Sequence, residues 1–505
     1  MTTRRGWIAL AALLAGVAAV NFLWMPGEFL AGDPHAWREE ARSIVLSGEL
    51  NVPREALFPA DVVESYLMRN ERNGLYYSKF GIANSLLAVP PMLLEKALGG
   101  DITRRGQPPS LLLVNLWNLV FCVALAALLY ALSAAYSARL AVRVMFVIAA
   151  LYCTSLWFYQ RAQNSEIYLT LLFTALFMAL LGFLRPLRAH GPRGLDAGAW
   201  RCLAAAWCCA GLLVFTRVLN GLLLPVIVLL AFWCAAAGRP WRELRAGAPL
   251  LGAALLVPPA LIVALLGIVN YVKFGAPWLT GYHQYLPHTH LPNGRIADGL
   301  SGFLFTPRFS IFLYFPLLLF ALFALRRFAE RHRLDAVVML SVFGVFLLVL
   351  SKIPSWAGEW AYGPRYLLPM LPVLSLPFLT FADDVLEGIG TWRARAWGAA
   401  AIAVLAYSGY LQAQVNRLPF YAYYHAREAL FLTSSFEVAD YFMARHTALI
   451  ADDLVRHRHD LEALPYFAEM KRVAPPELVA EYRAKLGAML DRGNLYWALP
   501  PGERR

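Results

Sequence analysis

Long apolar runs separated by short polar connectors organise most of this chain. A bilayer-spanning helix needs about 20 mostly apolar residues. Eleven stretches fit that pattern: 7–25, 110–133, 144–160, 166–184, 202–218, 219–237, 248–270, 309–325, 336–353, 366–382 and 398–414. The connectors 1–6, 134–143, 185–201, 238–247, 326–335 and 383–397 together hold seventeen arginines, from Arg4 and Arg5 to Arg393 and Arg395. Arginine concentrated in short connectors marks the cytoplasmic side, and an odd number of spans then places the C-terminal part outside. Arg4 and Arg5 before the apolar run from Trp7 resemble a signal peptide, but no small-residue cleavage site precedes Glu28, so an uncleaved first helix is expected.

The opposite connectors differ in kind. Segment 26–109 is long, polar and mixed in charge, too long for an idle loop. Within it 81–94 is apolar but short and carries Pro90-Pro91, which suits an interfacial helix better than a span. Segment 271–308 holds Tyr282, His283, Gln284, Tyr285, His288 and His290. Residues 416–505 are mixed in charge, with Leu478, Tyr482, Leu486 and Leu490 at helical spacing. The fold class expected is therefore an all-α polytopic membrane protein of about 11 transmembrane helices. Its transmembrane domain is 1–415, with outer loops 26–109 and 271–308, and 416–505 forms a small extracytoplasmic helical domain.

Composition sharpens this picture. Of 505 residues 59% are hydrophobic and 15% charged, with mean hydropathy +0.52; soluble domains carry about a quarter charged residues. The net charge of +12 lies mostly in the arginine-rich connectors, so it signals orientation in a bilayer and not nucleic-acid binding. There is no nucleotide-binding glycine-rich loop and no internal repeat. All six cysteines (Cys122, Cys153, Cys202, Cys208, Cys209, Cys234) sit in apolar stretches and read as small buried hydrophobes.

Ionisable side chains at membrane depth are costly, so each is a functional candidate. They cluster at the outer ends of spans: Arg161, Glu166, Arg217, Lys273, Arg308, Lys352, Glu359 and Arg365. Such a collar could line one outward-opening cavity; the alternative for each cation is that its long side chain snorkels to the interface. Asp33 precedes Pro34, a good helix start. It reads either as a simple cap or as a general base just beyond the first span.

Several of these stretches resemble a family. Gly32 to Gly48, with Trp37 and Ala41, resembles the first outer loop of the GT-C superfamily, nearest its glycosyltransferase 39-like and aminoarabinose-transferase-like members. Tyr76-Tyr77-Ser78-Lys79-Phe80-Gly81 followed by Leu86 to Pro91 is similar to their second outer-loop motif. Arg161 to Glu166, Thr216-Arg217, Asn270 to Pro277 and Gly363-Pro364-Arg365-Tyr366-Leu367-Leu368-Pro369 also resemble the family pattern. The resemblance covers roughly residues 1–415 and implies a GT-C-like bundle. It also implies an inverting transferase, which takes a sugar from a polyprenyl-phosphate carrier to a hydroxyl of a lipid, glycan or protein acceptor.

In that reading Asp33 matches the catalytic carboxylate. Many relatives carry a second acidic residue directly after it; here Pro34 stands there, so that role would pass to Glu39, Glu40, Glu166 or Glu359. Lys79 matches a carrier-phosphate ligand and Arg365 a polar residue beside it, with Arg217 and Arg308 as further cations. Glu166, Tyr282, His283, Glu359 and Tyr362 are the candidates for sugar or acceptor binding. No cofactor is firmly implied, but His283, His288 and His290 could hold a divalent metal; the same loop could instead recognise the acceptor. The location implied is a bacterial inner membrane, with the site facing the periplasm or exterior and membrane lipids around it. Two other classes stay open: a transporter or flippase of a lipid-linked glycan, and a non-enzymatic subunit of polysaccharide assembly in which Asp33 only caps a helix.

Overall fold

The computed structural model describes residues 4–28, 33–54, 66–103, 110–237, 239, 241–285, 293–358, 361–419, 445–464, 467–468, 471–472 and 475–498. The architecture is an all-α polytopic bundle whose one described sheet is a two-stranded hairpin. Among the described residues, eight helices are long and apolar enough to cross a membrane: Arg4–Leu23, Leu111–Ser133, Glu166–His190, Ala197–Thr216, Val218–Ala236, Pro249–Phe274, Arg333–Ser351 and Leu368–Glu387.

The other three expected spans are helical but fall outside that set, each for a local reason. Stretch 144–160 divides into Leu140–Tyr152 and Leu156–Arg161. At the break the Thr154 hydroxyl donates to the Ala150 carbonyl, and the Ser155 N–H donates to Tyr314. Stretch 309–325 divides into Ile311–Tyr314 and Leu317–Arg331 at Pro316, whose ring cannot continue a helix from the preceding turn. Stretch 398–414 lies in Trp392–Arg417, a helix with basic residues at both ends and glutamines and an asparagine in its last turns.

Helix Glu166–His190 is the hub. It packs on Leu111–Ser133, Ala197–Thr216, Leu223–Ala236 and the helical turn 368–370, and 67% of its most apolar stretch is buried, against 11% for Pro249–Phe274. The latter therefore presents nearly all of its surface to the surroundings, and Leu256, Val257, Leu261, Val263, Leu265 and Ile268 are exposed on it. In a bilayer that is a lipid-facing helix.

Polar contacts sort the connectors into two ends. At one end Arg139 pairs with Asp383 and Glu387, Arg185 with Asp335, and Arg327 with Asp384. Most of the arginine-rich connectors thus meet one another. At the other end helix Asp33–Ser47 packs on Ile82–Ala97, the expected interfacial helix. The antiparallel hairpin Leu67–Arg69 with Tyr76–Ser78 lies between them in sequence, with Leu67 opposite Ser78 and Gly74 (φ 72) in its turn. The hairpin is a departure from a purely helical outer loop. It delivers Lys79 directly after its second strand.

Of the C-terminal segment, helices Thr447–Arg456 and Pro476–Arg492 are described; Tyr482, Leu486 and Leu490 are buried and Leu478 partly so. The segment docks on the bundle. The Trp497 indole donates to the Phe22 carbonyl, the Tyr496 N–H to Met25, and the Tyr410 hydroxyl to Asp452. All six cysteines are free thiols.

Candidate active site

Four charged residues from four separate elements form one chain of contacts. Arg365 donates from Nη2 to Asp33 Oδ2 at 3.0 Å and from Nε to Glu166 Oε1 at 2.6 Å, and Arg217 Nη2 donates to the same Glu166 oxygen at 2.9 Å. Local structure explains each position. Asp33 and Glu166 are the first residues of their helices, where the helix dipole favours a negative charge. Arg217 stands in extended backbone directly after Ala197–Thr216. Arg365 follows Gly363, whose φ of 67 and close approach to the Tyr314 ring leave no room for a Cβ. Burial works against the Arg365 charge, but Glu166 and Asp33 overcome it and hold the guanidinium well above its ordinary pKa. Asp33 is the exposed member, with 31% of its side chain accessible against 0% for Glu166, and only one of its carboxylate oxygens is engaged by Arg365.

Lys79 lies in a cage of rings. Its ammonium is 5.1 Å from the centroid of Tyr66, 5.3 Å from Phe80 and 5.8 Å from Tyr282, a cation–π arrangement. Two glycines make the approach possible. A Cβ on Gly81 would overlap the Phe215 and Thr216 carbonyls, and one on Gly281 would overlap the Lys79 backbone. The first contact sets Lys79 beside the Arg217 turn; the second sets Tyr282 over it. Burial pushes the Tyr282 phenol above its ordinary range, and the Asp33 charge adds to that. Tyr282 thus joins Lys79 to the Asp33 network. Lys79, Arg217, Lys273 and Tyr282 line a narrow opening of about 20 Å³, whose other walls include Leu266 and Val269. Cationic and aliphatic side chains thus share its lining.

The remaining candidates are dispersed. Arg308 is fully buried with its guanidinium over the Phe309 ring. Tyr362 is buried, its hydroxyl donating to Gln412 and its backbone held by Tyr159. His283 is exposed, with Nδ1 beside the Thr280 hydroxyl at 2.9 Å. Glu359, His288 and His290 lie outside the described residues. Among the described residues no group of three or more His, Cys, Asp or Glu side chains is placed to hold a metal ion. Arg161 is a staple: it donates to the carbonyls of Trp24, Asn416 and Asn494 and to the Asn416 side chain.

The stand-ins for a second carboxylate are also placed. Glu39 pairs with Arg42 inside its own helix at 3.3 Å. Glu40 is buried against Lys273, with Nζ to Oε1 at 2.8 Å. Sequence reading named Lys273 and Glu40 separately and missed the pair. It also missed Arg38, which donates to Gln163 at 2.9 Å, while Gln163 donates in turn to Asn115. Gln163 is the one described non-glycine residue with positive φ, at 55.

No family model and no curated protein sequence matches the chain. Solved structures do. ArnT from Cupriavidus metallidurans, in the apo state, aligns with a TM-score of 0.51 and 16% identity over 96% of this chain and 76% of that one. The archaeal oligosaccharyltransferase AglB from Archaeoglobus fulgidus, in complex with an inhibitory peptide and a dolichol-phosphate, aligns with a TM-score of 0.49 and 11% identity over 86% of this chain. The chain spans 59% of the length of AglB. Both structures are of GT-C superfamily proteins. What the chain shares with ArnT at this identity is the fold, the one that its sequence motifs resemble.

Proposed function

We propose that the protein is an inverting glycosyltransferase that moves a sugar from a polyprenyl-phosphate carrier to an acceptor hydroxyl at the extracytoplasmic face of the membrane. The observation that carries the reading is the half-engaged carboxylate of Asp33, one oxygen on Arg365 and the side chain partly open, close to cations that border an apolar opening. A polyprenyl phosphate is a leaving group whose anionic head suits these cations and whose apolar tail stays in the bilayer.

Asp33 accepts the proton of the acceptor hydroxyl as its oxygen bonds the anomeric carbon. The bond from that carbon to the phosphate oxygen breaks, and the polyprenyl phosphate leaves with the electron pair. Lys79 and Arg217 neutralise the charge that builds on the phosphate, Lys as a point charge and Arg through its planar fork. A single displacement inverts the anomeric configuration. Arg365 and Glu166 hold Asp33 in place, and Tyr282, beside Lys79, is assigned to the sugar hydroxyls. The arginine-rich end is assigned to the cytoplasm by the positive-inside rule, which turns Asp33 to the periplasm or exterior. The transporter reading has less to support it, because the charged groups gather at one end of the bundle and not at mid-span.

The experiment is Asp33→Asn, which keeps the size and an oxygen for Arg365 but removes the base. With a labelled polyprenyl-phosphate sugar, the variant is expected to keep its thermal stability and donor binding and to lose roughly 10²–10⁴-fold in release of polyprenyl phosphate. A stable variant with wild-type turnover refutes the mechanism.

A further inference from the structure

We propose that the buried Glu40–Lys273 pair is a positioning device that sets the place of Lys79, so that the anion affinity of that ammonium depends on an ion pair it does not touch. The inference rests on the assignment of Lys79 to an anionic headgroup, and it adds residues that the mechanism above does not use.

The geometry anchors the Lys79 segment at the residue that follows it. The Lys273 ammonium donates to the Phe80 carbonyl at 2.9 Å, the residue after Lys79. Lys273 and Glu40 are joined at 2.8 Å and 3.1 Å, and the Ser85 hydroxyl from the next helix donates to Glu40 as well. The backbone directly after Lys79 is thus fixed by one ionic unit drawn from three places: the first outer helix, the end of the lipid-facing helix, and the start of Ile82–Ala97. Phe80, held by its carbonyl, is itself a wall of the ring cage and meets Tyr282 edge-on at 6.5 Å.

Energetics point the same way. Both side chains are at most 1% exposed, and a buried ion pair returns little net stability, because desolvation consumes the Coulomb gain. An apolar pair of equal volume would hold the helices together as well. It would not supply a donor to the Phe80 carbonyl, which is what anchoring the Lys79 segment requires.

Two variants enter the unit from opposite sides: Glu40→Gln, which keeps hydrogen-bonding capacity, and Lys273→Met. Each is made in the wild type and in Lys79→Ala, and two quantities are read on full-length protein in nanodiscs. The first is affinity for undecaprenyl phosphate. Each variant is expected to weaken it by about tenfold in the wild type and to change it little in Lys79→Ala, the non-additivity of residues acting through one another. The second needs no lipid substrate: the rate at which an amine-reactive acyl reagent modifies Lys79, read by peptide mass spectrometry. Both variants are expected to raise it as the cage loosens. An equal loss of affinity in both backgrounds, or unchanged Lys79 reactivity in a folded variant, overturns the proposal. If wild-type protein fails to bind undecaprenyl phosphate, the headgroup assignment fails, and the labelling rate still decides whether the pair positions Lys79.

Discussion

Replacing Glu166 by glutamine removes one negative charge from a carboxyl group that is 0% exposed and that receives two guanidiniums, at 2.6 Å and 2.9 Å, on one oxygen. The shape is kept, and the amide oxygen can still accept both donors. The charge assistance is what is lost. A hydrogen bond to a charged group is worth about 1.5–3 kcal/mol and a neutral one about 0.5–1.5, so the two contacts together lose about 2–3 kcal/mol. Glu166→Ala goes further and leaves two poorly solvated cations facing a gap, at a cost of about 3–5 kcal/mol. Arg365 retains Asp33 as a partner, so the deficit falls mainly on Arg217. Removing that cation as well, in Glu166→Gln with Arg217→Gln, is therefore expected to cost less than the sum of the single changes. The assay is unfolding free energy from a mixed-micelle detergent titration on wild type, both Glu166 variants, Arg217→Gln and the double variant. A Glu166→Gln protein within about 0.5 kcal/mol of wild type refutes the reasoning, because it means that Glu166 carries no charge to lose.

Two further expectations follow from the ends of the bundle. An engineered thiol near residue 460 or 290 is expected to react with an impermeant reagent added outside cells and one near residue 190 is not; outside labelling at 190 reverses the orientation. The second concerns His446, which accepts the Ala448 N–H at 3.1 Å as cap of helix Thr447–Arg456 and stacks on Tyr314 at 4.1 Å. Burial pushes its pKa down from 6.5 to about 4. The unfolded segment therefore binds the proton first, and stability is constant above pH 6.5 and lost as pH falls toward 4, by roughly 3 kcal/mol in all. Hydrogen exchange of 447–456 checks this: protection factors, corrected for the intrinsic pH dependence of amide exchange, fall on acidification in the wild type and stay flatter in His446→Asn, and equal acid sensitivity in both proteins removes the histidine from the explanation.

What the sequence made legible were features carried by neighbours in the chain. Apolar runs located the helical stretches, and arginines in short connectors located one end of the bundle. The Lys79 segment and the Gly363-Pro364-Arg365 turn stood out because they resemble GT-C family motifs. Features carried by distant pairs were not legible. Asp33 and Arg365 are 332 positions apart, and Glu40 and Lys273 are 233 apart, so no period or spacing links them. Hydropathy counting also treated 144–160 and 309–325 as continuous spans. The breaks at Thr154 and Pro316 come from one hydroxyl and one ring, which barely alter an average over 18 residues.

Arg161 adds a dimension of time. The guanidinium ends up on carbonyls of Trp24, Asn416 and Asn494. Of these, only Trp24 exists when the ribosome adds residue 161; Asn416 comes 255 residues later and Asn494 333 later. Chains fold N-terminal part first as they are made, so the early helices enter the bilayer with this cation still hydrated or lodged on provisional partners. The bundle cannot close around it until the C-terminal segment arrives. Biogenesis of this protein therefore has a built-in last step: the tail is the piece that lets the first half of the molecule stop searching.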